Sequence, residues 1–328
     1  MKLLITGGAG YIGSFMVKAA LDKGMEVVVA DSLERGNKES IDARANLIAG
    51  ELKDKKFVES LFSEGKFDAV VNFAGYISMS ESVTNPYIYF DNNINISLNI
   101  IESLVKNNLN NFIFSSTAGV YGNPTEIPIT EDHPKNPTNP YGESKLIVEQ
   151  ILSWYQKTHG LNFVSLRYFN AAGASLDAAM GENHNPETHI IPNAIKSILE
   201  NKEFSLYGDD YKTKDGTCVR DYIHVVDLVE AHLLAVDKLQ KEKGGFLYNV
   251  GTGRGYSNKE VIEMINRICG TTLKVKIEKR RPGDADSLIA DPRKIQAELG
   301  FSPKHSDLEI IVKTAWEWHK KLKIRNEK

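Results

Sequence analysis

The feature that most constrains the fold is a glycine-rich turn near the start of the chain, between a short apolar run and an amphipathic stretch. Residues 2–6 predict a buried strand, Gly7, Gly10 and Gly13 follow at three-residue spacing, and a helical pattern covers 12–23. Glycine permits a tight turn and lets backbone amides approach an anion at the positive end of a helix. The GxxGxxG spacing alone also fits an ordinary turn, so its surroundings decide its meaning.

The first half of the chain repeats this alternation of strand and helix. Strands are predicted at 2–6, 25–30, 45–49, 68–73, 111–115 and 162–168, and helices at 12–23, 54–64, 93–106 and 141–157. Such alternation predicts an α/β protein with a doubly wound parallel sheet, the Rossmann fold. We expect one domain over 1–172 and a smaller α/β domain over 173–328, with about 218–250 returning to the first.

Composition and charge exclude several classes of function. A net charge of -3 provides no field that would attract nucleic acid or an anionic membrane surface. Cys218 and Cys269 form no CxxC pair, which argues against a disulfide framework and against a zinc site. No apolar run approaches membrane-spanning length, and the first residues resemble a strand rather than a signal peptide. We therefore expect a cytoplasmic protein with a small-molecule ligand, without a metal and without a nucleic-acid or membrane partner.

An acidic residue at the end of the second predicted strand indicates what the glycine turn binds. Asp31 follows the turn at the distance, about 20 residues, where a carboxylate accepts hydrogen bonds from an adenosine ribose and repels a 2'-phosphate. NAD is therefore favoured over NADP. Arg35 leaves NADP open, although a solvated loop arginine is the better account of it.

A tyrosine and a lysine four residues apart open the helix predicted at 141–157. Tyr141 and Lys145 share one helical face, a spacing that a surface pair would also have. Ser115, Ser116 and Thr117 end the preceding strand, where ligands of doubly wound sheets collect, so a hydroxyl there is expected to meet the Tyr141 phenol. A lysine ammonium and a positive nicotinamide ring would both favour the phenolate, which makes Tyr141 a candidate base.

Motifs along essentially the whole chain resemble the nucleotide-sugar 4-epimerases of the extended short-chain dehydrogenase/reductase family. Besides the glycine turn, the matching segments are 72–75, 81–83, 91–93, 116–117, 139–145, 166–170, 216–224 and 280–284. The resemblance implies an NAD-dependent isomerase that interconverts UDP-galactose and UDP-glucose through a 4-keto intermediate, with hydride returned to the opposite face. It also implies catalytic roles for Thr117, Tyr141 and Lys145.

The resemblance further implies where the two ligands bind. Cofactor contacts would fall on Gly7, Gly10, Tyr11, Ile12, Gly13, Asp31, Ser32, Glu51, Leu52, Phe73, Ala74, Gly75, Asn92, Ser115, Tyr141, Lys145 and Tyr168. Contacts with the UDP-sugar would fall on Asn92, Thr117, Tyr141, Asn170, His189, Ile190, Tyr207, Arg220, Arg281, Asp284 and Leu288. The planar fork of arginine suits a diphosphate, and Asp284 would accept from a ribose hydroxyl.

Three positions depart from the pattern common in the family. Ile77 replaces a lysine near the cofactor, His189 replaces a substrate-binding asparagine, and Ser32 replaces an asparagine that often follows the ribose-binding aspartate. None of these removes a catalytic group. His189 opens a predicted helix, where a structural role is as good an account as a ligand contact.

Two other functions remain open at this point. Nucleotide-sugar 4,6-dehydratases place an Asp-Glu pair directly after the strand-end hydroxyl, but here Ala118 and Gly119 follow Thr117, which disfavours dehydration. A non-catalytic NAD-binding protein is compatible with the fold alone, although the intact Thr117, Tyr141 and Lys145 argue against it.

The sugar and the oligomeric state rest on the resemblance. Hexose, N-acetylhexosamine and pentose (xylose/arabinose) substrates present a similar C4. Leu288 would border the sugar pocket, and its intermediate volume predicts UDP-glucose and UDP-galactose as the main pair with some activity on UDP-N-acetylglucosamine. The helices predicted at 93–106 and 141–157 would form the interface of a homodimer.

Overall fold

A computed structural model describes residues 1–281 and 283–327 of the chain. Its strands are β1 (Lys2–Thr6), β2 (Glu26–Asp31), β3 (Asn46–Ala49), β4 (Ala69–Asn72), β5 (Asn111–Thr117), β6 (Asn162–Tyr168), β7 (Asn170–Ala172), β8 (Phe204–Tyr207), β9 (Val219–His224), β10 (Gly245–Val250), β11 (Gly255–Ser257), β12 (Val275–Glu278) and β13 (Ser287–Leu288). Its helices are α1 (Tyr11–Asp22), α2 (Lys55–Glu64), α3 (Met79–Thr84), α4 (Pro86–Lys106), α5 (Pro140–His159), α6 (Ile190–Leu199), α7 (Val225–Lys241), α8 (Asn258–Cys269), α9 (Arg293–Leu299) and α10 (Leu308–Asn326).

Seven parallel strands form the central sheet in the order β10-β6-β5-β4-β1-β2-β3. Along β1, Leu3 and Ile5 pack with α1 and α7 on one face, whereas Leu4 packs with α2, α4 and α5 on the other. This alternation follows from the two-residue period of a strand whose two faces are both covered. The sheet is doubly wound, as predicted. Its strand order reverses between β1 and β4, and a crevice for a ligand is expected at the carboxyl ends of these strands.

Helix α4 begins seven residues before the predicted start at residue 93. Pro86 occupies its first turn, where the missing amide hydrogen is not needed. Residues 87–92 mix aromatic and polar side chains without a clear period, so the sequence pattern did not reveal the first two turns. Helix α5 likewise begins with a proline, Pro140.

The second half of the chain contributes to the central sheet and also forms two smaller sheets of its own. Strand β10 pairs with β6 in the central sheet, and α7 packs on α1. Strands β7, β9, β11 and β13 form a separate four-stranded sheet, and β8 pairs with β12. Helices α6, α8 and α10 surround a third cluster of buried side chains. Among the described residues, no helix combines the length and apolar character needed to cross a bilayer.

Candidate active site

The glycine turn joins β1 to α1 at the place where the strand order reverses. Gly7 has a φ of +71°, and a Cβ atom there would lie 2.5 Å from the backbone nitrogen of Ala74. A Cβ on Gly13 would lie 2.2 Å from the carbonyl oxygen of Gly7, so the helix approaches the turn this closely only without a side chain. Gly10 is the N-cap of α1, and no side chain caps the helix. The positive end of α1 is therefore open to a diphosphate.

Asp31 ends β2 and fixes the glycine turn. Its Oδ2 accepts a hydrogen bond from the backbone of Ala9 at 2.9 Å, and its Oδ1 accepts from Leu33 at 2.9 Å. Each oxygen keeps a second lone pair for a ribose hydroxyl. Arg35, which left NADP open, donates two hydrogen bonds to Glu81 at 2.8 and 3.0 Å. Because that pair occupies the guanidinium, the geometry favours a cofactor with a free 2'-hydroxyl.

The other predicted cofactor residues lie mostly along the same edge of the sheet. Ser32 follows β2, Glu51 and Leu52 follow β3, Phe73, Ala74 and Gly75 follow β4, Ser115 and Tyr168 lie in β5 and β6, and Tyr11 and Ile12 open α1. Ser32 and Glu51 are exposed, and Leu52 is buried. The hydroxyl of Tyr11 donates to the carbonyl of Gly173 at 2.6 Å. Asn92 lies apart on α4, where it is buried and donates to Asn93 at 3.3 Å.

Helix α5 brings Tyr141 and Lys145 to the end of β5. Asn139 caps the helix, its side chain accepting from the backbone of Gly142 at 2.9 Å. A Cβ on Gly142 would lie 2.6 Å from the carbonyl oxygen of Gly119, so this helix reaches the turn after β5 only because residue 142 is glycine. This close approach brings the start of α5, with Tyr141, next to the end of β5, with Thr117, as the sequence predicts.

Burial sets the protonation of both groups on α5. It raises the pKa of Tyr141 to about 12, and a hydrogen bond with the Thr117 side chain acts in the opposite direction with smaller effect. Burial lowers the pKa of Lys145 to about 8, and the Lys145 ammonium donates to the carbonyl of Ser115 at 2.9 Å. In the protein alone the phenol is therefore protonated at neutral pH. An additional positive charge beside Tyr141 would favour the phenolate.

A buried histidine supports two of the predicted cofactor residues. His232, on α7, hydrogen-bonds the carbonyl of Leu228 through Nδ1 at 2.8 Å, which leaves Nε2 to accept from the Tyr168 hydroxyl. The ring of Phe73 lies 4.8 Å from the His232 ring. Burial lowers the pKa of His232 to about 4, so the ring is neutral. Sequence reasoning missed this residue, because no local pattern distinguishes it from other helix residues.

A buried ion pair, also missed from the sequence, lies beneath the Thr117 segment. Nη2 of Arg167, on β6, lies 2.6 Å from Oε2 of Glu149, on α5, and both side chains are buried. Ser116 donates to Glu149 at 2.6 Å, and Arg167 donates to the Tyr121 hydroxyl at 2.8 Å. The network joins β5, β6 and α5, and thereby holds the strand end against the helix that carries Tyr141.

Four of the predicted substrate residues line one cavity of about 340 Å³. They are Ile190, Tyr207, Arg281 and Asp284. The Arg281 guanidinium lies 4.0 Å from the centre of the Tyr207 ring, a stacked cation that remains able to donate hydrogen bonds. The volume falls within the range of small-molecule sites, about 300–1,000 Å³. Pro282, within the matching segment 280–284, lies outside the described residues.

Arg220 and Leu288 link this cavity to the catalytic turn. Arg220 lies 3.7 Å from the Asp284 carboxylate and pairs in register with Leu288 across β9 and β13. Leu288 in turn packs against the cluster that contains Ala118, the residue after Thr117. Arg220 and Leu288 thus connect a residue of the cavity wall with the turn that follows Thr117.

The remaining predicted substrate residues have different surroundings. Asn170 begins β7, directly beyond the end of β6, and is partly exposed. His189 precedes α6, and its Nδ1 contacts the carboxylate of Glu182. Because Nδ1 is engaged in this way, only Nε2 of His189 is left for a ligand. Ile77, one of the departures from the family pattern, has an exposed side chain.

The fold and the site together define a class. They describe a dinucleotide-binding α/β enzyme with a tyrosine-lysine pair at the carboxyl edge of its sheet and a second ligand cavity beside it. The chain belongs to the NAD dependent epimerase/dehydratase family, whose family model matches residues 3–251.

Named relatives agree over nearly the full length. A UDP-glucose 4-epimerase from Lactobacillus helveticus is 44% identical over 321 residues, which cover 98% of this chain and 97% of the relative. The structure of UDP-glucose 4-epimerase from Bifidobacterium longum in complex with NAD+ and UDP matches with a TM-score of 0.94 and 37% identity, covering 98% of each chain. The enzyme from Brucella ovis in complex with NAD matches with a TM-score of 0.92 and 40% identity, covering 96% of this chain and 97% of that one.

Proposed function

We propose that this chain is a UDP-glucose 4-epimerase, an isomerase of galactose metabolism that interconverts UDP-galactose and UDP-glucose. The observation that carries the proposal is that α5 brings Tyr141 and Lys145 to the end of β5, where Tyr141 hydrogen-bonds Thr117 and Lys145 donates to Ser115. The activities and ligands named for the relatives support it, because they pair the same fold with NAD and UDP.

The residues present fit NAD. The cradle at Gly7 and Gly13 leaves no space for a Cβ, α1 has an uncapped N-terminus, and Asp31 retains lone pairs for a ribose. When bound, NAD would supply reversible hydride transfer at C4 of the sugar, and return of the hydride to the opposite face would invert that carbon. The proposal also includes the other cofactor contacts expected from the resemblance, which are Gly10, Tyr11, Ile12, Ser32, Glu51, Leu52, Phe73, Ala74, Gly75, Asn92, Ser115, Tyr141, Lys145 and Tyr168.

The chain's own groups move the proton and position the sugar. The Tyr141 phenolate takes the proton of the C4 hydroxyl directly or through Thr117, and Lys145 contributes positive charge next to it. Arg220 and Arg281 pair with the diphosphate. Asp284 accepts from the uridine ribose. The remaining contacts with the UDP-sugar are assigned to Asn92, Asn170, His189, Ile190, Tyr207 and Leu288.

A dehydratase reaction is not favoured at this site. The turn after Thr117 consists of Ala118–Tyr121, with Ala118 buried, so the two positions next to the hydroxyl carry no acid to assist loss of water. Among the 4-epimerases, the hexose pair remains the main substrate, with UDP-N-acetylglucosamine as a possible second substrate.

We also propose two features of the molecule as a whole. Residues 1–172 form the NAD-binding domain, to which α7 and β10 return, and residues 173–328 form the nucleotide-sugar domain. The protein is a cytoplasmic homodimer that pairs through α4 and α5, which pack side by side and carry the exposed aromatic residues Tyr87 (77% exposed) and Trp154 (65% exposed). Sedimentation of a monomer at micromolar concentration would rule out the dimer.

The activity is tested by incubating the purified protein with a panel of UDP-sugars without added NAD and resolving the products. We expect UDP-glucose and UDP-galactose to interconvert, because hydride returns within the site and the cofactor stays bound. If only a UDP-pentose or only an N-acetylhexosamine is converted, the substrate assignment is wrong. If no sugar reacts with or without added NAD, the function itself is wrong.

A further inference from the structure

Four potential metal ligands converge in the segment that joins β7 to α6. Glu182, His184, Glu187 and His189 each offer one ligand atom, and the four atoms lie within 4.8 Å of one another. The Oε1 of Glu182 is 2.9 Å from Nδ1 of His184 and in direct contact with Nδ1 of His189. The Oε1 of Glu187 is 3.9 and 3.7 Å from the same two nitrogens. We call these four residues the Glu/His cluster.

The spacing of the Glu/His cluster suits a single ion. Ligand atoms about 2.0–2.1 Å from a tetrahedral zinc ion lie about 3.3 Å from one another. The separations of 2.9, 3.7 and 3.9 Å fall on both sides of this value, and the direct contact between Glu182 and His189 would have to lengthen when the ion binds. Imidazole nitrogens and carboxylate oxygens are also ligand types that zinc binds in proteins.

Hydrogen bonds account for only part of the Glu/His cluster, since Nδ1 of His189 bonds Glu182 and Oε1 of Glu187 accepts from the backbone of Thr188 and His189. Nδ1 of His184 is buried and makes no hydrogen bond among the described residues, although it lies 2.9 Å from Glu182. The Glu187 side chain is 4% exposed, and its Oε2 likewise has no hydrogen-bond partner there, with the Lys196 ammonium 3.5 Å away. Buried polar atoms are normally paired, so a ligand set with unpaired atoms is the arrangement that a bound cation satisfies.

Residues of the Glu/His cluster line two cavities, the one that contains Arg281 and a second one. Glu187 lines the first with Arg281, and His184 lines the second with Arg35. The His184 ring also packs edge-on against Tyr11, with ring centres 6.3 Å apart, at the start of α1. Residues 182–189 contain no helix or regular strand. An ion here would hold an irregular segment in the wall between the two cavities.

We propose that the Glu/His cluster binds one divalent transition-metal ion, best fitted by zinc, through one carboxylate oxygen of each glutamate and Nδ1 of both histidines, with the unpaired Oε2 as the ligand atom of Glu187. With four protein ligands the ion has no open position for a substrate, so its role is structural. The expectation that no metal binds was based on the two cysteines, which this ligand set does not include. The assignment does not depend on the reaction proposed for Tyr141.

The test measures metal content and stability in the full-length protein. We expect about one zinc per chain after gel filtration, a lower Tm after chelation, and recovery of the Tm when zinc is restored. Cobalt added to the stripped protein should produce visible absorption that saturates at about one equivalent. His184→Asn and Glu182→Gln should lose the ion, and the exposed-histidine control His159→Asn should keep it.

Several results would overturn the assignment. One is a stripped wild-type protein whose Tm does not respond to zinc, cobalt, nickel or manganese and which takes up no cobalt. Another is an ion bound equally well by His184→Asn, which would place the site elsewhere. If the two variants fail to fold, the cobalt titration of the wild-type protein decides the question. Neither readout measures epimerisation, so a failed metal site and a failed function are distinguishable.

Discussion

The hydroxyl of Tyr141 is held in surroundings that oppose its ionisation. Burial raises its pKa to about 12, and only the hydrogen bond with Thr117 acts in the other direction. A base that works near neutral pH must lose that proton, so positive charge from Lys145 and from the bound nicotinamide has to reverse the direction of the shift. The ring itself packs edge-on against Tyr89, with centres 6.5 Å apart, and phenylalanine would keep that packing.

The change Tyr141→Phe therefore removes the hydroxyl proposed as the base and little else. We expect kcat to fall by about 10²–10⁴-fold, the usual contribution of a positioned acid or base, while NAD and UDP bind normally. Steady-state turnover and fluorescence titration of both ligands provide the measurement, with the exposed Tyr87→Phe as control. Near-normal turnover in Tyr141→Phe would show that another group is the base.

Leu288 bears on which sugar the site accepts. It lies beside Arg220 in register and packs near Ala118, at the junction of the cavity and the catalytic turn. Leu288→Tyr adds bulk there, and we expect kcat/KM for UDP-N-acetylglucosamine to fall much more than for UDP-galactose. Differences in apolar fit are worth about 1–3 kcal/mol, so the selectivity should change by about 10- to 100-fold. Leu288→Met is the volume-matched control. Equal losses on both substrates would remove Leu288 from the pocket wall.

The sequence contained the signals for some site residues and not for others. Asp31, Tyr141 and Lys145 were predictable because a strand end and a four-residue helical spacing are local features. His232 was not, since its contact with Tyr168 spans 64 residues and arises only when α7 returns to the sheet. The roles assigned to these residues stay predictions.

At the scale of elements, α1 and the glycine turn form one rigid unit. The turn leaves the helix N-terminus uncapped, and the helix approaches so closely that a Cβ on Gly13 would overlap the carbonyl of Gly7 at 2.2 Å. Any side chain there has to displace the turn from the position in which its amides face the ligand.

Gly13→Ala should therefore abolish retention of NAD through purification. The matched control is Gly24→Ala at the far end of α1, where φ is +76° but no atom lies within 4 Å of the added Cβ. That change should cost about 1 kcal/mol of stability through backbone strain and leave NAD bound. The absorbance and bound-nucleotide content of the purified variants measure the difference. A Gly13→Ala protein that retains NAD would show that the turn tolerates a side chain.

Elements with a regular apolar period were predicted well. Strands β1 and β6 match their predicted bounds, and the other predicted strands shift by one or two residues. The first turns of α4 were missed because residues 87–92 have no clear apolar period, since most of them are not buried. The small sheets of the second half could not be predicted in detail, since strands of two to six residues carry too few side chains to establish a period.

At the scale of the whole molecule, buried neutral histidines make stability depend on pH. Burial lowers the pKa of His224 and of His232 to about 4, whereas an unfolded histidine titrates near 6.5. Between these values the unfolded chain binds protons that the folded chain does not. The stability supplied by the neutral rings is therefore present above about pH 6.5 and is lost as the pH falls towards 4.

The free energy of unfolding, measured with urea from pH 7.5 to 4.5, should fall with acidification. Burial also lowers the pKa of His319 to about 4, so the three rings together contribute a slope of at most about 4.1 kcal/mol per pH unit. His224→Gln should reduce the slope, and the exposed His159→Gln should not. A free energy of unfolding that is constant from pH 6.5 to 5 would contradict the neutral state assigned to these rings.

In the proposed reaction one hydride leaves C4 of the sugar and returns to the same carbon without exchange with solvent. The most direct measurement uses UDP-glucose carrying deuterium at C4, converted in ordinary water without added NAD and analysed by NMR and mass spectrometry. The account predicts UDP-galactose that retains the deuterium at C4. Replacement of that deuterium by solvent hydrogen would contradict it, because the C4 hydrogen would then have left as a proton rather than as a hydride held in the site.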